Sequence, residues 1–153
     1  MNSIYNALLP VHSIIRWILL ILLLAAIFKS LAGMMSKKAY APSDNKISLF
    51  LMISAHTQLL VGLIMYFISP HVMFTGDMMK NNVARFFTME HSVMMILAIV
   101  LITIGRISSK KAATDAAKFK KSFWFFFIAL LVILAAIPWP FMQVAKDTAI
   151  GWF

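Results

Sequence analysis

Cysteine is absent from this 153-residue chain. That excludes disulfides, thiol catalysis, and zinc or iron–sulfur centres held by thiolates. Charge is scarce as well. Only 12% of residues are Asp, Glu, Lys or Arg, against about 25% in a soluble domain. Acidic residues are the rarest, 5 against 14 Lys and Arg. Hydrophobic residues make up 62% of the chain, so residues 1–153 read as one membrane domain and not as a soluble core with an anchor.

The formal net charge of +9 raises nucleic acid as a partner, but placement argues against it. Basic residues cluster in two loops between apolar runs, the topology signal of an inner-membrane protein. The expected helices cover about 9–29, 46–68, 86–106 and 121–138, each near the ~20 residues that span a bilayer. The first run lacks a basic lead and a small-residue cleavage site, so it reads as a retained helix and not a signal peptide. Pro10 suits the first turn of that helix. Pro42-Ser43-Asp44 resembles the start of the second. Trp124 and Trp139 bracket the fourth run, as an aromatic belt requires.

The positive-inside rule places loops 29–46 and 106–121 in the cytoplasm. Both termini and the 69–85 loop then lie on the outer, periplasmic side. The expected fold is an all-α membrane protein, a four-helix up-down-up-down bundle in a bacterial inner membrane. Four helices with few intramembrane charges leave little from which to build a transport pathway.

Polar exceptions inside apolar runs are the functional candidates. His12-Ser13-Ile14-Ile15-Arg16-Trp17 opens the first helix, and a shorter His91-Ser92 opens the third. His12 precedes Lys29 by about 17 residues and His91 precedes Arg106 by about 15. At ~1.5 Å per residue, both imidazoles stand roughly 22–26 Å from the basic boundary. Helices one and three of such a bundle can face each other diagonally. Two neutral imidazoles at matched depth across a diagonal are what a bis-histidine haem needs. On this reading His12 and His91 are the axial ligands. Arg16 and Arg85, with His71 beyond them, face the propionates. Gly62 leaves room for a ring. Glu90 orients a ligand, pairs with Arg16, or relays protons for a quinol.

His56 lies about 10 residues from Lys46, roughly 15 Å deep and near mid-membrane. Three readings of it stand together: a ligand exchanging with one of the pair, a polar group beside a bound quinone, and an interhelical hydrogen bond. A His56–His91 pair on adjacent helices is the alternative ligation. Two further classes compete with haem. In one, the histidines are plain interhelical hydrogen bonds in a cofactor-free assembly subunit, whose bare fourth helix docks a partner. In the other, Met73, Met78, Met79, Met89, Met94 and Met95 join His71 and His91 in an outer Cu(I) site. Methionine is also a common apolar filler.

Five motifs carry a resemblance over nearly the whole chain: His12-Ser13-x-x-Arg16-Trp17, His56-x-Gln58-Leu59-Leu60-x-Gly62, Arg85-Phe86-Phe87-x-x-Glu90-His91, Ile104-Gly105-Arg106 and Ile137-Pro138-Trp139-Pro140-Phe141. In these the chain resembles a family of small four-helix membrane proteins of Bacteroidetes, labelled cytochrome b-like. The resemblance implies b-type haem and membrane electron transfer, carried onto His12, His56 and His91, and leaves open which two bind iron. The expected partner within the lipid bilayer is a quinone, a larger membrane complex or a homo-oligomer.

Overall fold

Helix formation follows the apolar runs and ends at identifiable stops. The structure, a computed structural model, describes residues 3–148. Its long helices are α1 (Ser3–Ser36), α2 (Pro42–Ile68), α3 (Asn82–Lys110) and α4 (Asp115–Ala136), and all four are long and apolar enough to cross a membrane. A short α5 (Gln143–Thr148) follows. No strand occurs among the described residues.

The boundaries reach beyond the apolar runs because polar residues are accommodated at the helix ends. α1 passes through Lys29, whose Nζ reaches Asp44 at 3.1 Å, and stops at Lys37 with φ 49°. There the Lys38 N–H turns back to the Gly33 carbonyl at 3.3 Å, as in a left-handed cap. α1 also starts nearly two turns earlier than the expected helix. Pro10 therefore sits inside the helix, on an exposed face, and not in its first turn. α2 begins with Pro42, and the Ala41 N–H donates to Asp44 Oδ2 at 2.9 Å. Asp44 thus serves from the third helical position. Its end at Ile68 is set by Ser69-Pro70, since a residue before proline avoids the helical region. Asn81 caps α3 by accepting from the Ala84 N–H, and Thr114 caps α4 by accepting from the Ala117 N–H.

Neighbours around the bundle run α1–α2–α3–α4 and back to α1, so α1 and α3 lie across the diagonal. Successive helices joined by short loops alternate in direction. The core occupies the half of the bundle nearer the basic loops. Leu23, Leu51, Ala55, Ala98, Ile102, Phe126 and Ala129 are buried there. Alanines on facing helices let the backbones approach closely. Gly105 does the same: a Cβ added to it would lie 2.6 Å from Phe125 Cβ.

Polar ties close this half. Arg106 is buried, and its Nη1 donates to the Asn45 carbonyl (3.1 Å), Asn45 Oδ1 (3.0 Å) and Ser48 Oγ (2.7 Å), joining α3 to the start of α2. The Ser122 hydroxyl donates to Ser109 Oγ at 2.8 Å, and Ser109 donates to the Lys118 carbonyl at 2.9 Å, joining α3 to α4. Buried polar groups in an apolar medium are stable only when partnered this way.

Candidate cofactor cavity

Packing thins toward the other end, where α1 and α3 begin and α2 and α4 finish. A cavity of about 510 Å³ lies there between all four long helices. Each helix contributes a stripe at helical spacing. On α1 it runs through Tyr5, Leu9, His12, Arg16 and Leu19; on α2 through Gln58, Gly62 and Tyr66, with Ser69 just past its end; on α3 through Thr88, His91, Met95 and Ile99. Ile133, Ile137 and Pro138 close the α4 side. Most of the lining is apolar, with a few polar groups converging, as in small-molecule sites of roughly 300–1,000 Å³.

His12 and His91 both line this cavity, from helices that face each other diagonally. The two rings therefore share one chamber. The two rings are held differently. His91 Nδ1 lies 2.8 Å from the Ala136 carbonyl at the end of α4. A carbonyl only accepts, so the neutral ring carries its proton on Nδ1 and leaves Nε2 as a lone-pair donor. This is the outer bond that fixes a ligating histidine. The backbone before it is unusual: Phe86–Glu90 form a π-helical turn, and the His91 N–H bonds back to the Phe86 carbonyl. π-turns of this kind recur at functional sites. Ser92 Oγ donates to the Phe87 carbonyl at 2.7 Å and holds the same turn.

His12 rests against α2. A Cβ on Gly62 would meet His12 Cε1 at 3.5 Å and Nδ1 at 4.0 Å, ordinary contact distances, so only a side chain longer than alanine's would crowd the imidazole. Gln58, one turn away, donates from Nε2 to the His12 carbonyl at 3.0 Å. His12 Nδ1 and Gln58 Oε1 are buried and have no hydrogen-bond partner. Gln58 is a site residue that sequence reasoning passed over. Its signal was an amide inside an apolar run, on the same face as Gly62.

The remaining sequence candidates divide. Arg16 lines the cavity and donates to Ser13 Oγ at 2.9 Å. Arg85 does not line it, and its Nε pairs with Glu90 Oε1 at 2.8 Å on the exposed side of the π-turn. Glu90 thus meets Arg85 and is turned away from the chamber. His56 is exposed on the outer face of α2, with Nδ1 2.8 Å from the Met52 carbonyl of its own helix. His71 sits in the loop between α2 and α3, edge-on to Tyr5 (6.2 Å) and tilted against Phe87 (5.7 Å). Burial there pushes its imidazole below the ordinary value. Of the methionines named with it, Met89 and Met95 line the cavity and the others do not.

Two imidazoles on diagonal helices, one with its tautomer set, one guanidinium and a largely apolar chamber fit a haem with carboxylate side chains. His12 Nδ1, buried and unpartnered, fits a ring whose hydrogen bonding is completed on ligand binding. Among the described residues, no group of three or more His, Cys, Asp or Glu side chains is arranged for a bare metal ion. No family model, curated protein or solved structure matches this chain.

Proposed function

We propose that this chain is a b-type haem protein of the membrane that passes single electrons. The observation carrying this reading is the shared chamber: His12 and His91 line one cavity from opposite helices. A bound haem supplies reversible one-electron chemistry at its iron. The protein's part is to bind, orient and exclude water. His91 presents Nε2 because Nδ1 is tied to Ala136. His12 is the partner ligand, seated on Gly62 and bracketed by Gln58. Arg16 supplies positive charge to the propionates, since a buried carboxylate needs such a partner. His56 belongs to the lipid-facing surface on this reading, and Arg85 and Glu90 form a surface pair.

The basic loops orient the bundle with the cavity in its outer half, in a bacterial inner membrane with both termini outside. A largely apolar chamber at that depth suits exchange with a lipid-soluble carrier such as a quinone, or with a neighbouring subunit of a membrane complex.

A cofactor-free subunit is the second reading. The His91–Ala136 bond favours it, because that bond alone would satisfy a structural histidine. The unpartnered His12 Nδ1 weighs against it, since a purely structural site leaves such an atom satisfied. An absorption spectrum of protein purified from membranes, oxidised and then reduced, decides between them. Split b-type bands in the reduced state are expected. Colourless protein that also fails to take up added haemin would sink the haem reading.

A further inference from the structure

The cavity wall differs from side to side. Along α1 and α4, its deeper lining residues Leu19, Leu20, Ile133 and Ile137 are buried. Between α2 and α3, lining residues nearer the mouth also face outward, although Ala98 and Ile99 deeper on α3 are buried. Leu63 is 40% exposed, Val93 57% and Ile96 47%, yet all three line the chamber. Side chains that face both ways form a rim, so the cavity opens sideways between these two helices.

The helices are pinned on either side of this opening. Tyr66 Oη donates to the Thr88 carbonyl at 3.2 Å toward the end where α3 begins. Arg106 ties α3 to Asn45 and Ser48 at the opposite end. From Met89 to Ile96 the rim spans about 7 residues, roughly 10 Å of helix. A gap held at both ends persists without the bundle splaying.

We infer that this gap is a lateral window onto the hydrocarbon phase, through which the chamber takes a membrane-dissolved amphiphile with a hydroxyl head. Leu63, Met89, Val93 and Ile96 make the rim apolar apart from Ser92, whose hydroxyl is committed to the Phe87 carbonyl, so it passes apolar molecules and not hydrated ones. Inside, the chemistry changes. Gln58 Nε2 is committed to the His12 carbonyl, which fixes the amide orientation and leaves Oε1 as an unmet acceptor. His12 Nδ1 is unmet on the same wall. A hydroxyl donates to Gln58 and has lone pairs to spare for a ring N–H, whereas an alkane offers neither. This goes beyond the haem reading, because a haem presents no hydroxyl to Gln58 and the window opens whether or not iron is bound.

The test uses the full chain in phosphatidylcholine vesicles with two diazirine-bearing reagents of equal length, a long-chain alcohol and the corresponding alkane. After irradiation, the alcohol is expected on Leu59 and Ala98 inside the chamber as well as on Leu60, which faces outward. The double variant Leu63→Trp/Val93→Trp should lose labelling at Leu59 and Ala98 and keep it at Leu60. Gln58→Leu should abolish the alcohol's advantage over the alkane at the chamber residues. Because the chain has no cysteine, Leu63→Cys/Val93→Cys can be bridged with a bismaleimide in folded protein. That closes the window without a bulky substitution, and the same loss is expected. Chamber labelling that is absent in the unmodified chain, or that survives both closures, overturns the window. Equal chamber labelling by both reagents, unchanged in Gln58→Leu, overturns the hydroxyl head.

Discussion

Two glycine-to-alanine changes, one at the cavity and one in the core, should move stability in opposite directions. Glycine inside a helix costs about 0.5–1 kcal/mol relative to alanine. Gly62→Ala recovers that amount if the new methyl meets nothing closer than ordinary contact. Among the described residues outside its own helix, the neighbour within 4 Å is the His12 ring, with Cε1 at 3.5 Å. The expected result is stabilisation by about 0.5–1 kcal/mol. Gly105→Ala meets Phe125 Cβ at 2.6 Å and Phe126 Cε1 at 3.1 Å. Phe125 Cβ is fixed to the α4 backbone, so α3 and α4 must part. Overpacking of this kind costs about 1–3 kcal/mol, leaving a net loss of about 0.5–2 kcal/mol after the helix gain. Equilibrium unfolding in mixed micelles with rising SDS fraction, followed by circular dichroism, reads both. Gly62→Leu completes the series, because its longer side chain enters the space of the His12 ring and the chamber. It should keep the helical signal and lose haemin uptake, while Gly105→Ala, although less stable, still binds haemin. If Gly62→Ala destabilised as much as Gly105→Ala, the spacing of α1 and α2 at His12 would be tighter than described and the cavity argument would fail with it.

The ligand assignment separates two histidines. His91→Ala should abolish the b-type spectrum, whereas His56→Ala, on the exposed face of α2, should leave it unchanged; a spectrum lost with His56 instead refutes the pairing. Arg106→Leu removes three charge-assisted bonds from one nitrogen, and at ~1.5–3 kcal/mol per such bond, with sharing, should cost about 2–4 kcal/mol in the same unfolding assay. His71 makes the 69–81 loop acid-sensitive. Its folded value is depressed, so no penalty exists above the unfolded value of about 6.5, and destabilisation grows as pH falls through it toward the folded value. Amide hydrogen exchange across the loop should quicken below that pH, and His71→Gln should remove the dependence.

Position along each helix could be counted from the sequence, but direction around it could not. Counting residues from the basic boundary placed His12 and His91 at one depth, and the diagonal arrangement of α1 and α3 brings them into one chamber. The same count placed His56 near mid-membrane without saying which way it faced. His56 and Gln58 are two residues apart, about 200° around a helix, so when Gln58 and Gly62 face the cavity His56 must face away. Only the partner helices decide which of the two is inside. Arg106 misled for a related reason. A basic residue at a helix end reads as a topology marker, and nothing local announces that Asn45 and Ser48 of another helix will surround it. The π-turn at Phe86–Glu90 has no sequence signature, yet it shifts every later residue of α3 around the axis and so decides where His91 points.

The difference between the two imidazoles implies an order of events. His91 is set before any ligand arrives: its tautomer is fixed by Ala136, its backbone by the π-turn, and Phe86 and Phe87 lie 5.9 and 6.1 Å from its ring. His12 stands beside the open face of Gly62 and has no hydrogen bond to orient Nδ1. A ring fixed in advance loses little freedom on binding, whereas a ring with no such bond must be ordered at that moment. On the haem reading, His91 would therefore be the holding residue that is ready before binding, and His12 the one ordered on binding. A His12→Ala variant should accordingly still capture haemin and show a five-coordinate, high-spin spectrum, while His91→Ala should bind weakly or not at all. Equal loss from both substitutions would mean that the two ligands act as one unit, and the preset geometry at His91 would then have no kinetic consequence.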